Sequence, residues 1–131
     1  MSRPPSPDTL AHMSGGGTIA RTPEPPYYAV IFTSLQTDDL EGYDEAAARM
    51  AELAATMPGY LGFEAARDGI GITVSYWTDL GAVADWKREA EHLAAQGNGR
   101  RRWYSHYATR IARVERDYSF ERKEGGGEGG A

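Results

Sequence analysis

The chain has 131 residues, a net charge of −5 and no cysteine, so it can form one domain with a real core but no disulfide or thiolate metal site. Its 40% hydrophobic and 25% charged content is ordinary for a globular protein, and no run approaches the roughly 18 apolar residues of a membrane span. The acidic balance argues against a nucleic-acid surface, which is usually basic. We therefore expect neither a nucleic-acid nor a membrane partner. No apolar signal segment follows Arg3, so a cytoplasmic location is the default expectation.

Both ends of the chain have a composition that is typical of disorder. Residues 1–25 hold most of the prolines and a run of three glycines, and residues 121–131 are a Gly/Glu segment. Such segments cannot bury enough apolar surface to offset their ordering entropy. We therefore predict one folded domain over residues 26–120.

The first half of this domain predicts a strand followed by a helix. Residues 27–35 are aromatic and β-branched, with apolar side chains on both alternating faces. Residues 42–57 repeat apolar side chains at the i, i+3, i+4 spacing of one helical stripe, and Pro58-Gly59 ends that helix.

The second half predicts a hairpin, a helix and a last strand. Strands over 60–67 and 70–77 are separated by Asp68-Gly69, a strong hairpin signal. Residues 79–96 form an amphipathic helix, and 106–118 a charged strand. The order β-α-β-β-α-β predicts an α+β, ferredoxin-like sandwich with an antiparallel sheet.

Charge placement agrees with the strand order 4-1-3-2 of that fold. The uncharged strands one and three are then central, and the charged strands two and four are edges. Two helices cover only one side of a four-stranded sheet, and the other side would leave a large apolar patch exposed. We therefore expect a homodimer in which two sheets pack face to face.

Four segments of the chain resemble the antibiotic biosynthesis monooxygenase (ABM) family, a group of dimeric α+β barrels. They are TPEPPYYAVIFTS (22–34), PGYLGFEAARDGIGITVSYW (58–77), WKREAEHLAAQ (86–96) and WYSHYATRIARVERDYSF (103–120). The resemblance implies either a cofactor-independent monooxygenase that acts on polyketide-type aromatics or a heme-degrading monooxygenase. Many members of the family have no assigned activity.

The heme-degrading branch implies a helix tryptophan, an iron-ligating histidine ten residues later and an asparagine on the first strand. Trp86 matches the tryptophan, but Gln96 stands where the histidine would be, and the first strand has no asparagine. His92 lies about 150° from the apolar stripe of its helix, and His106 begins the last strand. We therefore expect no metal site and no cofactor, with heme as the disfavoured alternative.

Aromatic and polar side chains supply the predicted site. The catalytic candidates are Trp86, Ser34 and His106, and the candidates for substrate binding are Phe32, Tyr76, Trp77, His92, Trp103 and Tyr104. Tyr76 and Trp77 point to opposite sides of the sheet, so only one of them can line a pocket.

Two functions fit these residues. The first is a cofactor-independent monooxygenase for a small aromatic or polyketide-like substrate, in which the protein supplies desolvation and orientation. The second is a non-catalytic dimeric barrel that binds a small hydrophobic molecule. A polar group on the side of Trp86 would favour the enzyme, and the sequence alone places none there clearly.

Overall fold

A computed structural model describes residues 17–96 and 99–123. It contains four strands and three helices in the order β-α-β-β-α-α-β. The elements are β1 (Tyr27–Gln36), α1 (Tyr43–Thr56), β2 (Tyr60–Asp68), β3 (Ile70–Trp77), α2 (Leu80–Gln96), α3 (Gly99–Trp103) and β4 (Tyr104–Val114). The predicted α+β class and ferredoxin-like order are confirmed. The short helix α3 was not predicted, and the last strand begins two residues earlier than the sequence pattern indicates.

The four strands form one antiparallel sheet in the order β2-β3-β1-β4. The predicted arrangement is confirmed, with the two uncharged strands in the centre and the charged strands at the edges. In the register, Val30 of β1 lies opposite Ser75 of β3 and Ile111 of β4.

The sheet has a helix side and an open side. On β1 the helix side carries Tyr28, Val30, Phe32 and Ser34, because Tyr28 and Val30 pack against the core that the helices form. The alternate residues, from Tyr27 to Leu35, belong to the open side.

The main apolar core lies at one end of the helix side. Trp77 is fully buried there, and its indole ring stacks on that of Trp86 with centroids 5.6 Å apart. Ala54 of α1 and Val83 of α2 close over the pair. The predicted core stripes of both helices therefore meet the sheet at the β1 start and the β3 end.

Two local features hold the hairpin and α2 in place. Gly59 has φ +88°, which favours glycine, and its carbonyl accepts a 2.9 Å hydrogen bond from the Thr78 amide. Asp79 caps α2, because its Oδ1 accepts the Ala82 amide at 2.8 Å. Among the described residues, no helix is long and apolar enough to cross a membrane.

The N-terminal segment before the predicted domain contacts the open side of the sheet. The Ala20 amide donates to Glu64 Oε2 at 2.9 Å, and the Tyr27 hydroxyl donates to Asp117. Arg21 pairs with Glu121 at 3.1 Å. The described part of the N-terminal extension thus contacts β2 at Glu64, and Glu121 of the C-terminal segment pairs with this extension through Arg21. Residues 1–16 and 124–131 are outside the described residues, and the domain limits remain a prediction.

Candidate functional site

Five aromatic side chains gather on the helix side of the sheet, at the end away from the Trp77 core. Phe32 lies 5.4 Å from Tyr104 and 5.3 Å from Tyr107, and Tyr43 lies 5.6 Å from Trp103, measured between ring centroids. Tyr43 and Tyr104 meet edge to face at 6.0 Å. We call these five residues the aromatic wall.

Helix α3 and the loop before α1 fix the far end of this wall. The Trp103 indole N–H donates to the Glu41 carbonyl at 2.8 Å, and the Thr37 amide donates to the Trp103 carbonyl at 2.7 Å. Arg102 forms a 3.2 Å ion pair with Asp39. This ion pair ties α3 to the loop before α1.

Ser34 lies beside the wall and is only 2% exposed. In the sheet register it stands between Gly71 of β3 and Tyr107 of β4. Its hydroxyl oxygen accepts a 2.6 Å hydrogen bond from Nη2 of Arg67. Since that oxygen accepts from Arg67, the hydroxyl hydrogen is directed elsewhere, and none of the described residues accepts it.

Arg67 reaches Ser34 by crossing the sheet over Gly71. The two residues are opposite each other in the β2–β3 hairpin, and a Cβ at position 71 would lie 2.1 Å from Nη2 of Arg67. Nη1 also donates weakly, at 3.4 Å, to the carbonyls of Ser34 and Gly69. No carboxylate of the described chain lies within ion-pair distance of this guanidinium. Gly71 therefore leaves the space in which the Arg67 guanidinium lies on the helix side of the sheet.

The floor between the core and the wall is incompletely covered. Phe32, Thr73 and Ala65 are opposite one another on adjacent strands, and all three are only half-buried although they face the helices. This partly covered area, next to the aromatic wall and the Arg67–Ser34 pair, is the candidate ligand cleft.

The predicted site residues divide into three groups. Ser34, Phe32, Trp103 and Tyr104 meet at the aromatic wall. Trp77 and Trp86 lie in the core at the other end, since Trp77 and Gly71 are separated along β3 by about 20 Å at a rise of ~3.3 Å per residue. Tyr76 and His106 lie on the open side, and His92 is an exposed residue of α2. The structure thus brings together one catalytic candidate, Ser34, with three of the binding candidates.

Tyr76 has a structural partner on the open side. Its hydroxyl donates a 2.7 Å hydrogen bond to Glu64 Oε1, and its ring meets that of Tyr27 edge to face at 5.9 Å. Burial, together with the hydrogen bond to Glu64, raises the pKa of the Tyr76 phenol well above its ordinary value. Tyr76 therefore stays protonated at neutral pH.

Four further residues contribute to the site and are not among those predicted from the sequence: Tyr43, Arg67, Gly71 and Tyr107. A signal for two of them was present, because the hairpin centred on Asp68-Gly69 places Arg67 opposite Gly71, and a glycine opposite a long side chain leaves room for that chain to cross. Tyr43 lies within the predicted helical stripe of residues 42–57, and that pattern indicates only packing. Within the described chain, no group of three His, Asp or Glu side chains is placed to hold a metal ion.

This architecture defines the class of small α+β proteins in which helices cover one side of a four-stranded antiparallel sheet. A profile of the family described as antibiotic biosynthesis monooxygenase matches residues 26–98. The chain is also 50% identical, over 105 residues, to the uncharacterized protein YqjZ of Bacillus subtilis strain 168, covering 79% of this chain and 92% of that protein. The chain belongs to the antibiotic biosynthesis monooxygenase family.

Two solved structures share the fold at low sequence identity. The Pseudomonas aeruginosa protein PA3566 superposes with a TM-score of 0.56 at 14% identity, covering 73% of this chain and 99% of that one. A Nitrosomonas europaea protein named as a candidate antibiotic biosynthesis monooxygenase gives a TM-score of 0.55 at 14% identity, covering 75% and 96%. These likenesses support the fold.

Proposed function

We propose that this protein is a cofactor-independent monooxygenase that oxidises a small aromatic or polyketide-like substrate in the cleft on the helix side of the sheet. The observation that carries the proposal is the aromatic wall beside a half-buried floor. Flat aromatic side chains at ring distances of 5.3–6.0 Å suit a flat aromatic ligand. Family membership supports the reaction type.

In such a reaction the substrate itself reduces oxygen. A CH₂ group activated by a neighbouring carbonyl loses a proton, and the resulting carbanion donates electrons to O₂. One oxygen atom becomes a new carbonyl, and the other leaves as water with the two hydrogens of the CH₂ group. For anthrone the balance is anthrone plus O₂ giving anthraquinone plus water, and no further oxidant or reductant is needed.

The residues of the cleft would contribute binding and exclusion of water. Phe32 and Tyr104 would hold the substrate ring against the sheet, and the Ser34 hydroxyl would donate a hydrogen bond to its carbonyl oxygen. That hydrogen bond strengthens as negative charge develops on the oxygen, which is the direction needed for catalysis. Orientation within a dry cleft also protects the carbanion from reprotonation by bulk water.

The second candidate is a non-catalytic dimeric barrel that binds a small hydrophobic molecule in the same cleft. The absence of a general base among the wall residues favours it, since the five aromatic side chains offer only rings, phenols and one indole. Heme degradation is less favoured than either candidate, because Trp86 stacks on Trp77 in the core and His92 is exposed on α2.

Oxygen uptake with anthrone separates the two candidates. We expect the purified protein to consume one O₂ per anthrone and to form anthraquinone, which is followed by its absorbance. Phe32→Ala should slow this reaction by about tenfold or more, since a lost aromatic contact of about 1.5 kcal/mol corresponds to that factor. Tyr118→Ala is the matched control, because Tyr118 is 95% exposed outside the cleft. Binding of anthrone without oxygen uptake would contradict the enzyme and favour the binding protein.

A further inference from the structure

We infer that the Arg67–Ser34 pair is a binding site for an oxyanion, so that the ligand of the cleft is an aromatic molecule carrying a phenolate or a carboxylate. The inference rests on the proposed function, because it names the substrate class of the same cleft. It is carried by the guanidinium itself, which lies partly buried across Gly71, 2.6 Å from the Ser34 hydroxyl.

The first step of the argument is the charge balance of Arg67. A partly buried guanidinium is ordinarily compensated by a carboxylate, and no described carboxylate is within ion-pair distance of this one. Its hydrogen bonds go to neutral acceptors, the Ser34 hydroxyl and the carbonyls of Ser34 and Gly69. A guanidinium has five N–H donors, so donors remain for a ligand.

The second step is the direction of the hydrogen bonds. Arg67 donates to the Ser34 oxygen, so the Ser34 hydrogen is itself available as a donor. Both groups therefore offer donors, and two converging donors of which one is a cation select an acceptor with negative charge. A neutral hydroxyl or an ammonium would fit this pair less well.

The third step is the position of the pair relative to the aromatic wall. Arg67, Gly71, Ser34 and Tyr107 are successive cross-strand neighbours on the helix side, with Tyr107 adjacent to Phe32. The cation is thus at one end of the row and the rings are at the other. A ligand that spans them has an anionic oxygen at one end and an aromatic ring at the other.

Calorimetry with three probes tests the inference on the full chain. The probes are 4-nitrophenol at a pH where it is ionised, benzoate, and 4-nitroanisole, the uncharged relative of 4-nitrophenolate. We expect at least one anion to bind more tightly than 4-nitroanisole. Arg67→Met should weaken the anion by about 10- to 100-fold, the range for a hydrogen bond to a charged group, and leave 4-nitroanisole unchanged.

Two further variants keep the test independent of protein folding. Gly71→Ala retains Arg67 but places a methyl group where its guanidinium lies, so it should reproduce the loss of anion binding with the fold intact. Arg113→Met is the matched control, because Arg113 is an exposed arginine on the same side of the sheet, opposite Tyr28. It should leave all three affinities unchanged.

The outcomes separate this inference from the proposed function. Equal binding of anion and 4-nitroanisole, or loss of anion binding in Arg113→Met as large as in Arg67→Met, would overturn the oxyanion site while leaving the aromatic cleft in place. Selective anion binding without oxygen uptake on anthrone would instead contradict the monooxygenase and leave the oxyanion site standing. Preference between 4-nitrophenolate and benzoate distinguishes a phenolate ligand from a carboxylate.

Discussion

Arg67 Nη2 donates a 2.6 Å hydrogen bond to the hydroxyl of Ser34 across the intervening strand, at the position of Gly71. This contact joins an edge strand to a central strand on the side of the sheet that the helices face. It brings the Arg67 guanidinium next to the aromatic wall. Neither Arg67 nor Ser34 would indicate a binding site by itself. The contact therefore depends on Gly71, because a side chain at that position would occupy the space of the guanidinium.

Gly59, the residue before β2, should tolerate replacement less well than Gly69 of the hairpin turn. It has φ +88°, and a Cβ there would lie 2.6 Å from the Cβ of Ala82 and 2.7 Å from Thr78 Oγ1. Gly59→Ala combines backbone strain of roughly 1–2 kcal/mol with overpacking of about 1–3 kcal/mol, so we expect a total loss of roughly 2–5 kcal/mol in unfolding free energy.

Gly69→Ala is the matched control for this prediction. Gly69 has φ +79°, but a Cβ there meets nothing within 4 Å. Gly69→Ala should therefore lower the unfolding free energy only by the backbone strain, about 1–2 kcal/mol. Urea titrations of both variants measure the two losses. Equal losses for the two variants would show that contact with α2 does not matter.

Trp77 should contribute more to stability than any other single side chain of the core. It is fully buried, stacks on Trp86, and donates its indole N–H to Ser75 Oγ at 2.9 Å. Trp77→Ala should lower the unfolding free energy by about 3–5 kcal/mol, and Ser75→Ala by about 1–3 kcal/mol because the buried N–H loses its acceptor.

Chemical denaturation followed by far-UV circular dichroism measures both losses. Ser105→Ala is the control for the serine variant, since Ser105 is exposed and its hydroxyl makes only a 3.4 Å hydrogen bond to a carbonyl. A Ser75→Ala variant as stable as Ser105→Ala would contradict a structural role for the indole hydrogen bond.

Alkaline stability should depend on Tyr76. Burial and the hydrogen bond to Glu64 raise the pKa of its phenol above the ordinary value of 10.0. Above pH 10 the unfolded chain has released this proton while the folded chain still holds it, so the unfolded state binds fewer protons and unfolding free energy falls as pH rises. Tyr76→Phe should make that fall shallower.

The control for Tyr76→Phe is a tyrosine that is as exposed in the folded chain as in the unfolded chain. Tyr118 is 95% exposed, so Tyr118→Phe should leave the pH dependence unchanged. Urea titrations of the wild type and the two variants between neutral pH and the alkaline limit give the slopes. A wild-type slope retained in Tyr76→Phe would place the alkaline sensitivity elsewhere.

The features of the fold that could be predicted from the sequence are those that depend on residues close together in the chain. The hairpin at Asp68-Gly69 and the apolar stripes of both helices are local patterns, and they gave the elements and their order correctly. Helix α3 has only five residues, too few to show a helical repeat of apolar side chains. It is held by hydrogen bonds between Trp103 and two residues far away in the sequence, Thr37 and Glu41. A pattern of neighbouring residues cannot predict such long-range contacts.

The site was less predictable than the fold for a similar reason. Trp86 and Ser34 are both catalytic candidates from the sequence, and both belong to the helix side, but sharing a side of the sheet does not fix their positions along the strands. The register places Trp77, on which Trp86 stacks, at the opposite end of β3 from the partner of Ser34. The alternation of side chains along a strand decides which side of the sheet a residue faces. The pairing register of the strands decides how far apart two residues on the same side lie.

The open side of the sheet leads to a last prediction, that two copies of this chain associate through it. Leu35 and Ile70 are opposite each other there, and Ile72 is next to Ile70 on the same side, with 42% of its surface exposed. We propose that a second copy covers this apolar group, because a monomer would leave it in water. Ile72→Glu should then convert a dimer to a monomer, because burying an unpaired carboxylate at the interface is unfavourable.

Sedimentation velocity at micromolar concentration measures this, with 14.3 kDa expected for the single chain. Ile111→Glu is the matched control, because Ile111 is 50% exposed on the edge strand but belongs to the helix side. It should remain a dimer. If both glutamate variants dissociate, the interface is not confined to the open side. A monomeric wild type would exclude association, and the apolar group would then need another partner.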